Sequence, residues 1–327
     1  MNLLNASIQQ TRKFLDSFDI ILSDCDGVIW YPNTGIIPGT LDVFGKLQNL
    51  GKRLYLVTNN STISAERYCK RVTTNGVTIK PEQIINTAKV ISWYLKKIKF
   101  SDLALVIASS AFRQVLINDG FKVIPEEIKL QVDLQRITIM NEDPHTAVRH
   151  IEDDPAIRAV IVDFSFSFDW AKMALSINCL KRKDVSYFCG CKDDWIMYKH
   201  KKKFKVQCVS FAGSGPLIDV INRQSGRSPK EFAKPSENLK NYILDTCDVK
   251  DPSRCIFIGD KMNTDMQFAA LCGFKKLFVG TGADTINDAK LESEHPDFYV
   301  PSLAMLQPLI DLLENESKIK RNLLRNN

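Results

Sequence analysis

Short apolar runs that stop abruptly at polar residues punctuate this chain. The segment FDIILSD (18 to 24) is one of them, the pattern of a buried parallel strand that delivers side chains at its C-terminal end. Asp24 is therefore expected at a strand tip. TLDVFGKLQNLG (40 to 51) then has helical spacing with Gly51 as its stop, and RLYLVTNN (53 to 60) repeats the strand with a polar tip. Strand, helix, strand implies a parallel sheet. The pattern returns near the other end, where RCIFIGD (254 to 260) predicts a strand tip, MNTDMQFAALCG a helix and KKLFVG another strand. Between the two ends, LALVIA, AVIVDF and the helical stretch DWAKMALSINCLKRK (169 to 183) form a second αβ series. These observations predict an αβ core built from both ends of the chain, with a separate αβ domain inserted between them.

Composition narrows the class without deciding it. With 327 residues, 44% of them hydrophobic, the chain can bury a large core and suits two domains. A net charge of +6 is mild and spread, and does not by itself indicate nucleic acid. The nine cysteines are scattered, with no C-x-x-C pair, as expected of reduced thiols. No apolar run approaches the roughly 20 residues that span a bilayer, and the first residues carry no cleavage signature. The expectation is a soluble, cytoplasmic protein with neither nucleic-acid nor membrane partners.

Strand tips of an open parallel sheet converge on one crevice, so polar residues far apart in sequence can meet there. Four tips carry candidate chemistry. Asp24-Cys25-Asp26-Gly27 sets two carboxylates two residues apart, one to attack phosphorus and one to move a proton. Thr58 and Asn59 offer a hydroxyl and backbone N–H groups to phosphate oxygens. Lys234 precedes a helix start at Pro235-Ser236, and Gly259-Asp260 to Asp265 brings two further carboxylates. A phosphate dianion repels a carboxylate nucleophile unless positive charge neutralises both. Asp24, Asp260 and a backbone carbonyl are a fitting oxygen set for Mg²⁺, with Asp26 among the candidate ligands, and Lys234 adds further charge. In this reading Asp24 attacks in line, and Asp26 protonates the leaving alkoxide and then deprotonates the hydrolytic water.

These residues, in this order, resemble the haloacid dehalogenase superfamily, with its D-x-D-G, strand-end Thr, Lys and G-D-x-x-x-x-D signatures. DCDGVIW, TNNST, AGSGPLI, AKPS and GDKMNTD look like its branch of 4-nitrophenylphosphatases, phosphoglycolate phosphatases and pyridoxal phosphate phosphatases. The resemblance implies a three-layer αβα core with a parallel sheet, discontinuous over residues 1 to 86 and 212 to 327, and an inserted αβ cap at 87 to 211. The cap is inserted after Thr58, because the stretch between Asp24 and Thr58 is too short to hold one. It also implies Asp24 as nucleophile and metal ligand, Asp26 as acid/base, Thr58 and Asn59 as phosphate binders, and Lys234 orienting phosphate and nucleophile. Asp260 would ligate the metal and Asp265 support its hydration shell. Expected substrates are small phosphomonoesters, and a homodimer through the cap is a further possibility. The chain departs from the pattern at Ala233, where the family has Gly, and at FCGCKDDWIMYKHKKKFKVQ, where the family carries an N-x-D segment ending in proline. Within that segment Asp193, Asp194 and Trp195, expected on a cap loop or an exposed turn, are candidates for reading the leaving group, and Lys201 to Lys203 for drawing in anions. Cys25, Cys189, Cys191 and the Trp30-Tyr31 pair read as packing or turn residues at least as well as functional ones. The rival reading is a catalytically weak relative acting as a phosphate-binding or scaffold protein. A dehalogenase would have no use for Asp26 or Asp260, and a phosphomutase would need a cap before Thr58.

Overall fold

The computed structural model describes residues 1–31, 35–73, 76–124, 151–202, 205–291 and 295–314. A six-stranded parallel sheet runs in the order Phe298–Val300, Lys275–Val279, Cys255–Gly259, Ile20–Ser23, Arg53–Thr58, Ile84–Asn86. The central strand, Ile20–Ser23, pairs Ser23 with Leu56 on one side and with Ile258 on the other. Chain order reverses across it, which opens a crevice beyond the strand ends at the point where Asp24 emerges.

Both faces of this sheet are buried, which explains why its strands read as unbroken apolar runs. Ile21, Leu54, Leu56 and Ile258 point into one cluster with Phe14, Phe44, Tyr68 and Val72, from helices Ile8–Asp16, Thr40–Asn49 and Ala65–Thr73. The alternate residues Ile20, Leu22, Val57 and Phe257 point into a second cluster with Val90, Leu239, Ile243 and Phe268, from helices Thr87–Lys97, Glu237–Thr246 and Gln267–Cys272. Helix, sheet, helix makes three layers.

A second, five-stranded parallel sheet runs Lys230–Glu231, Ser186–Cys189, Ile157–Val162, Leu103–Ile107, Lys122–Ile124. One face shares the second cluster through Ala104, Val106, Ala159, Ile161 and Phe188. The other packs Leu105, Val160 and Val162 against Leu175 and Ile218 of helices Trp170–Leu180 and Gly215–Ser225. The segment 87 to 211 thus supplies most of this sheet, and its last strand comes from Lys230–Glu231.

Two local features differ from expectation. The stretch expected to be one helix after Asp260 begins with a π-helical turn, Met262–Met266, before the α-helix Gln267–Cys272. Such wide turns re-aim side chains at functional sites, and here the turn carries Asp265. Trp195 does not lie in an irregular loop: Trp195–Lys202 and Lys205–Ala212 form an antiparallel pair with Trp195 opposite Ala212. Residues 199 to 202 and 205 of the lysine run fall on these strands; residues 203 and 204, and the side chains of the whole run, including those of Lys201 to Lys203, lie outside the described residues.

Candidate active site

The tips of the strands Ile20–Ser23, Arg53–Thr58 and Cys255–Gly259 bring polar residues to one cavity of about 360 Å³, lined by Asp24, Asp26, Thr58, Asn59, Lys234, Asp260 and Asp265; Lys234, expected at a tip of the same sheet, instead follows Lys230–Glu231 of the second sheet. Asp24 follows the central strand and is fastened to its neighbour, its N–H donating to the Ile258 carbonyl at 2.8 Å. The Lys234 ammonium reaches across to Asp24 Oδ1 at 2.6 Å and to Asp265 Oδ1 at 2.8 Å. Ser236, the helix N-cap, accepts from the Leu239 N–H and starts the helix just after the lysine.

The charge balance at this centre is unequal. Oxygens of Asp24, Asp260 and Asp265 lie within 4.8 Å of one another, all three residues buried, against the single Lys234 ammonium in contact with two of them. Burial, opposed by Lys234 and reinforced by Asp265 and Asp260, drives the Asp24 carboxyl well above its usual range. Burial and Asp265 together push Asp260 up to about 7. Burial alone would lower Lys234, but Asp24 and Asp265 hold it above the ordinary lysine value. Crowded carboxylates with too little positive charge are the donor chemistry of a hard divalent cation.

The hydrogen bonds separate the roles of the three acids. Asp265 is engaged on both oxygens: Oδ1 holds Lys234, and Oδ2 accepts the N–H groups of Asp260 at 3.1 Å and Lys261 at 3.2 Å. It shapes the turn rather than facing the cavity freely. Asp260 accepts from the Ala283 N–H at 2.6 Å through Oδ2. Gly282 passes so close that a Cβ there would overlap the Asp260 carboxylate. The 281 to 284 loop is therefore a seat for Asp260. It follows the strand Lys275–Val279, so the strand-tip rule that found the other residues applied here as well.

Asp26 differs from the other acids. Its side chain turns to Trp30, whose indole N–H donates to Asp26 Oδ1 at 3.0 Å, so a metal contact from Asp26 falls to its backbone carbonyl. Burial raises the Asp26 carboxyl, with Trp30 and then Arg71 and Lys234 opposing. A carboxyl so placed suits proton transfer. The Trp30 ring is gripped by Tyr68 stacked at 5.6 Å and by the Arg71 guanidinium 4.2 Å from its centroid. Trp30 thus does positioning work that its sequence context left open.

At the second strand tip, Thr58 Oγ1 accepts from the Asn60 N–H at 3.1 Å, closing a tight turn. The Asn59 side chain clamps the Lys234 backbone, accepting from its N–H at 2.9 Å and donating to its carbonyl at 3.3 Å. Asn59 therefore serves the lysine with its amide, and a phosphate contact from this residue falls to its backbone. Among the cap candidates, Asp193 and Trp195 line the cavity, together with Phe164, Phe166 and Cys191. Asp194 is not in that lining, and its carbonyl accepts the Gly213 N–H. Asp193 reaches Lys261 at 3.6 Å and so links this wall to the Asp260 turn. The eight cysteines with described side chains are all unbridged and buried, Cys25 among them. No helix among the described residues is long and apolar enough to cross a membrane.

Comparison with known proteins agrees with this geometry. The family model of haloacid dehalogenase-like hydrolases matches residues 21–122, and a second, HAD-hydrolase-like, family model matches residues 231–306. A chloroplastic phosphoglycolate phosphatase of Arabidopsis thaliana is 28% identical over 91% of this chain and 78% of its own length. The 4-nitrophenylphosphatase of Schizosaccharomyces pombe is 28% identical over 92% of this chain and 97% of its own. Among solved structures, the 4-nitrophenylphosphatase of Thermotoga maritima has the same fold, with a TM-score of 0.69 at 19% identity over 89% of this chain and 97% of that one. A glycerol phosphate phosphatase from Mycobacterium tuberculosis, solved in complex with magnesium, superposes with a TM-score of 0.65 at 18% identity, covering 91% of this chain and 77% of that one. With family matches to both halves of its first sheet, and relatives aligned over some nine-tenths of its length, the chain belongs to the haloacid dehalogenase-like hydrolases.

Proposed function

We propose that the protein hydrolyses small phosphomonoesters, with Asp24 as nucleophile and Asp26 as the proton shuttle. The observation that carries this reading is the convergence of Asp24, Lys234, Asp260 and Asp265 in one buried cluster beside Thr58 and Asp26. Lys234 holds the Asp24 carboxylate in place and balances part of its charge. An in-line attack by Asp24 on phosphorus breaks the ester bond, and Asp26, oriented by Trp30, gives its proton to the departing alkoxide. Asp26 then accepts a proton from the water that opens the aspartyl-phosphate, and inorganic phosphate leaves. Asp24, Asp260 and the Asp26 carbonyl would hold Mg²⁺, which supplies the charge that lets a carboxylate approach a phosphate dianion. Relatives named for phosphoglycolate, glycerol-3-phosphate and 4-nitrophenyl phosphate hydrolysis support a small substrate without choosing among them.

The same reading treats the second sheet as an inserted cap. The expected insertion, 87 to 211, extends in this proposal to Glu231, because Lys230–Glu231 pairs with Phe188–Cys189. A reducing, cytoplasmic setting fits the unbridged cysteines. The test is phosphate release from 4-nitrophenyl phosphate and a panel of phosphometabolites with Mg²⁺, comparing wild type with Asp24→Asn. An amide of the same shape cannot attack phosphorus, so the variant should fold and lose at least about a hundredfold in rate, roughly 2.7 kcal/mol of barrier. Retention of more than that share of activity would remove Asp24 from the role.

A further inference from the structure

Behind the cavity wall lies a second buried carboxylate that the mechanism does not use. Asp163, 1% exposed, follows the strand Ile157–Val162 of the second sheet. Its Oδ1 accepts the Ser61 hydroxyl at 2.9 Å and the Phe164 N–H at 2.6 Å. Its Oδ2 accepts the Thr87 hydroxyl at 2.7 Å and the Cys191 N–H at 3.1 Å. The four donors come from four segments. Ser61 ends the Thr58 turn of the first sheet, and Thr87 opens the helix that leaves its edge strand. Phe164 and Cys191 follow two neighbouring strands of the second sheet. Space is made for the carboxylate by Gly190, where a Cβ would overlap Asp163 Oδ2.

Such a group is expensive to bury, and all four of its partners are neutral. Three of them, Ser61, Phe164 and Cys191, line the cavity, although Asp163 itself does not. We propose that Asp163 is a positioning residue that ties the phosphate-binding turn, through Ser61, to the leaving-group wall at Phe164 and Cys191, setting the distance between phosphate cup and cap. This rests on the phosphatase reading above and assigns the geometry of its specificity. A carboxylate is suited to the task because it accepts at both oxygens and donates at neither. Ser61 is held from the other side as well, its carbonyl accepting the Ser109 hydroxyl at 2.9 Å, so the turn is pinned between two points of the second sheet's chain. An amide at 163 would turn an N–H₂ toward two donors, one of them a backbone N–H that cannot accept, and would open that side of the tie.

The test compares wild type, Asp163→Asn, Ser61→Ala and the double variant on two kinds of substrate. One is acetyl phosphate, whose small leaving group makes least use of the wall, and the other is a set of bulkier natural phosphomonoesters. For Asp163→Asn, KM for the larger substrates should rise at least about tenfold while kcat and the acetyl phosphate rate change less than about threefold. The effects of the two substitutions should be non-additive, because they break one tie. Hydrogen exchange gives an arm independent of turnover: the Phe164 and Cys191 amides should exchange at least about tenfold faster in Asp163→Asn, with those of Ile20–Ser23 unchanged. Equal losses on both substrate kinds, or unchanged exchange at Phe164 and Cys191, would overturn the assignment. If Asp163→Asn does not fold, Ser61→Ala is read by hydrogen exchange alone, with faster exchange at Phe164 and Cys191 expected and unchanged exchange overturning the assignment. A wild-type protein that releases no phosphate from any substrate defeats the phosphatase reading, while the exchange arm still decides the role of Asp163 in the tie.

Discussion

The Lys234 ammonium sits 2.6 Å from Asp24 Oδ1, with both residues buried and the helix that follows the lysine capped two positions on by Ser236. Lys234 also contacts Asp265, so removing its charge leaves two buried carboxylates without their common partner. Lys234→Met should therefore destabilise the fold by about 3 kcal/mol, the cost of breaking a buried ion pair from one side. It should also lower turnover by at least about a hundredfold. Denaturant unfolding and steady-state rates check both, and an unchanged unfolding midpoint would mean that these acids are neutral in the folded protein.

Gly282 offers a separate handle on the proposed metal. A Cβ at this position would overlap the Asp260 carboxylate and push it from its seat on the Ala283 N–H. Gly282→Ala should raise the Mg²⁺ concentration needed for half-maximal activity by about tenfold or more. Mg²⁺ itself should stabilise the wild type, by about 2.7 kcal/mol at a hundred times its Kd, since it relieves repulsion among Asp24, Asp260 and Asp265. Melting curves with and without chelator measure this, and full activity after exhaustive chelation would take the metal out of the reaction.

Trp195 lines the cavity while 68% exposed, and Asp193 beside it bridges to Lys261. In the phosphatase reading proposed above, the core tips are committed to phosphate and proton transfer, which leaves this wall to read the leaving group. Replacing Asp193, Asp194 and Trp195 with alanine should reorder kcat/KM among natural phosphomonoesters by about tenfold, near 1.4 kcal/mol, with small aryl phosphates affected less. A phosphometabolite panel gives the ranking; the same order in variant and wild type would place selection elsewhere.

Burial pushes the Asp163 carboxyl up to about 6, against the hydrogen bonds from Thr87, Cys191, Ser61 and Phe164 that favour its charged form. The nearby Cys189 and Cys191 thiols are themselves driven upward by burial and stay neutral through this range. Because the folded value lies above the unfolded one, the native state binds the extra proton between about pH 4 and pH 6. Stability contributed by this group is then present at low pH and lost as pH rises through 6, by an amount on the order of 3 kcal/mol. Relative to Asp163→Asn, the wild type should gain stability on moving from pH 7 to pH 4.5. Unfolding curves at the two pH values test the sign, and a difference that does not change with pH would mean that Asp163 keeps an ordinary carboxyl value.

Much of the site was legible because strand tips are written locally. An apolar run ending in Asp24, Thr58 or Asp260 needs only the two-residue alternation of a strand buried on both faces, and convergence of the tips follows from the parallel sheet. The order of the motifs likewise led to the expectation of a long insertion after Thr58. The same local rule reached the Lys275–Val279 strand and stopped short of its tip, where Gly282 and Ala283 seat Asp260 without chemistry of their own.

What the chain alone determined is therefore the inventory of reactive groups and, except for Lys234, the strand from whose tip each one projects. The tertiary structure decided how those groups are divided among tasks, because hydrogen bonds between distant segments leave no periodicity to read. It turned the Asn59 amide to the Lys234 backbone and the Asp26 carboxylate to Trp30. It gathered Ser61, Thr87, Phe164 and Cys191 around Asp163, a residue that in sequence merely ends an apolar run. A buried acid takes its meaning from the donors that surround it, and only folding brings those donors together.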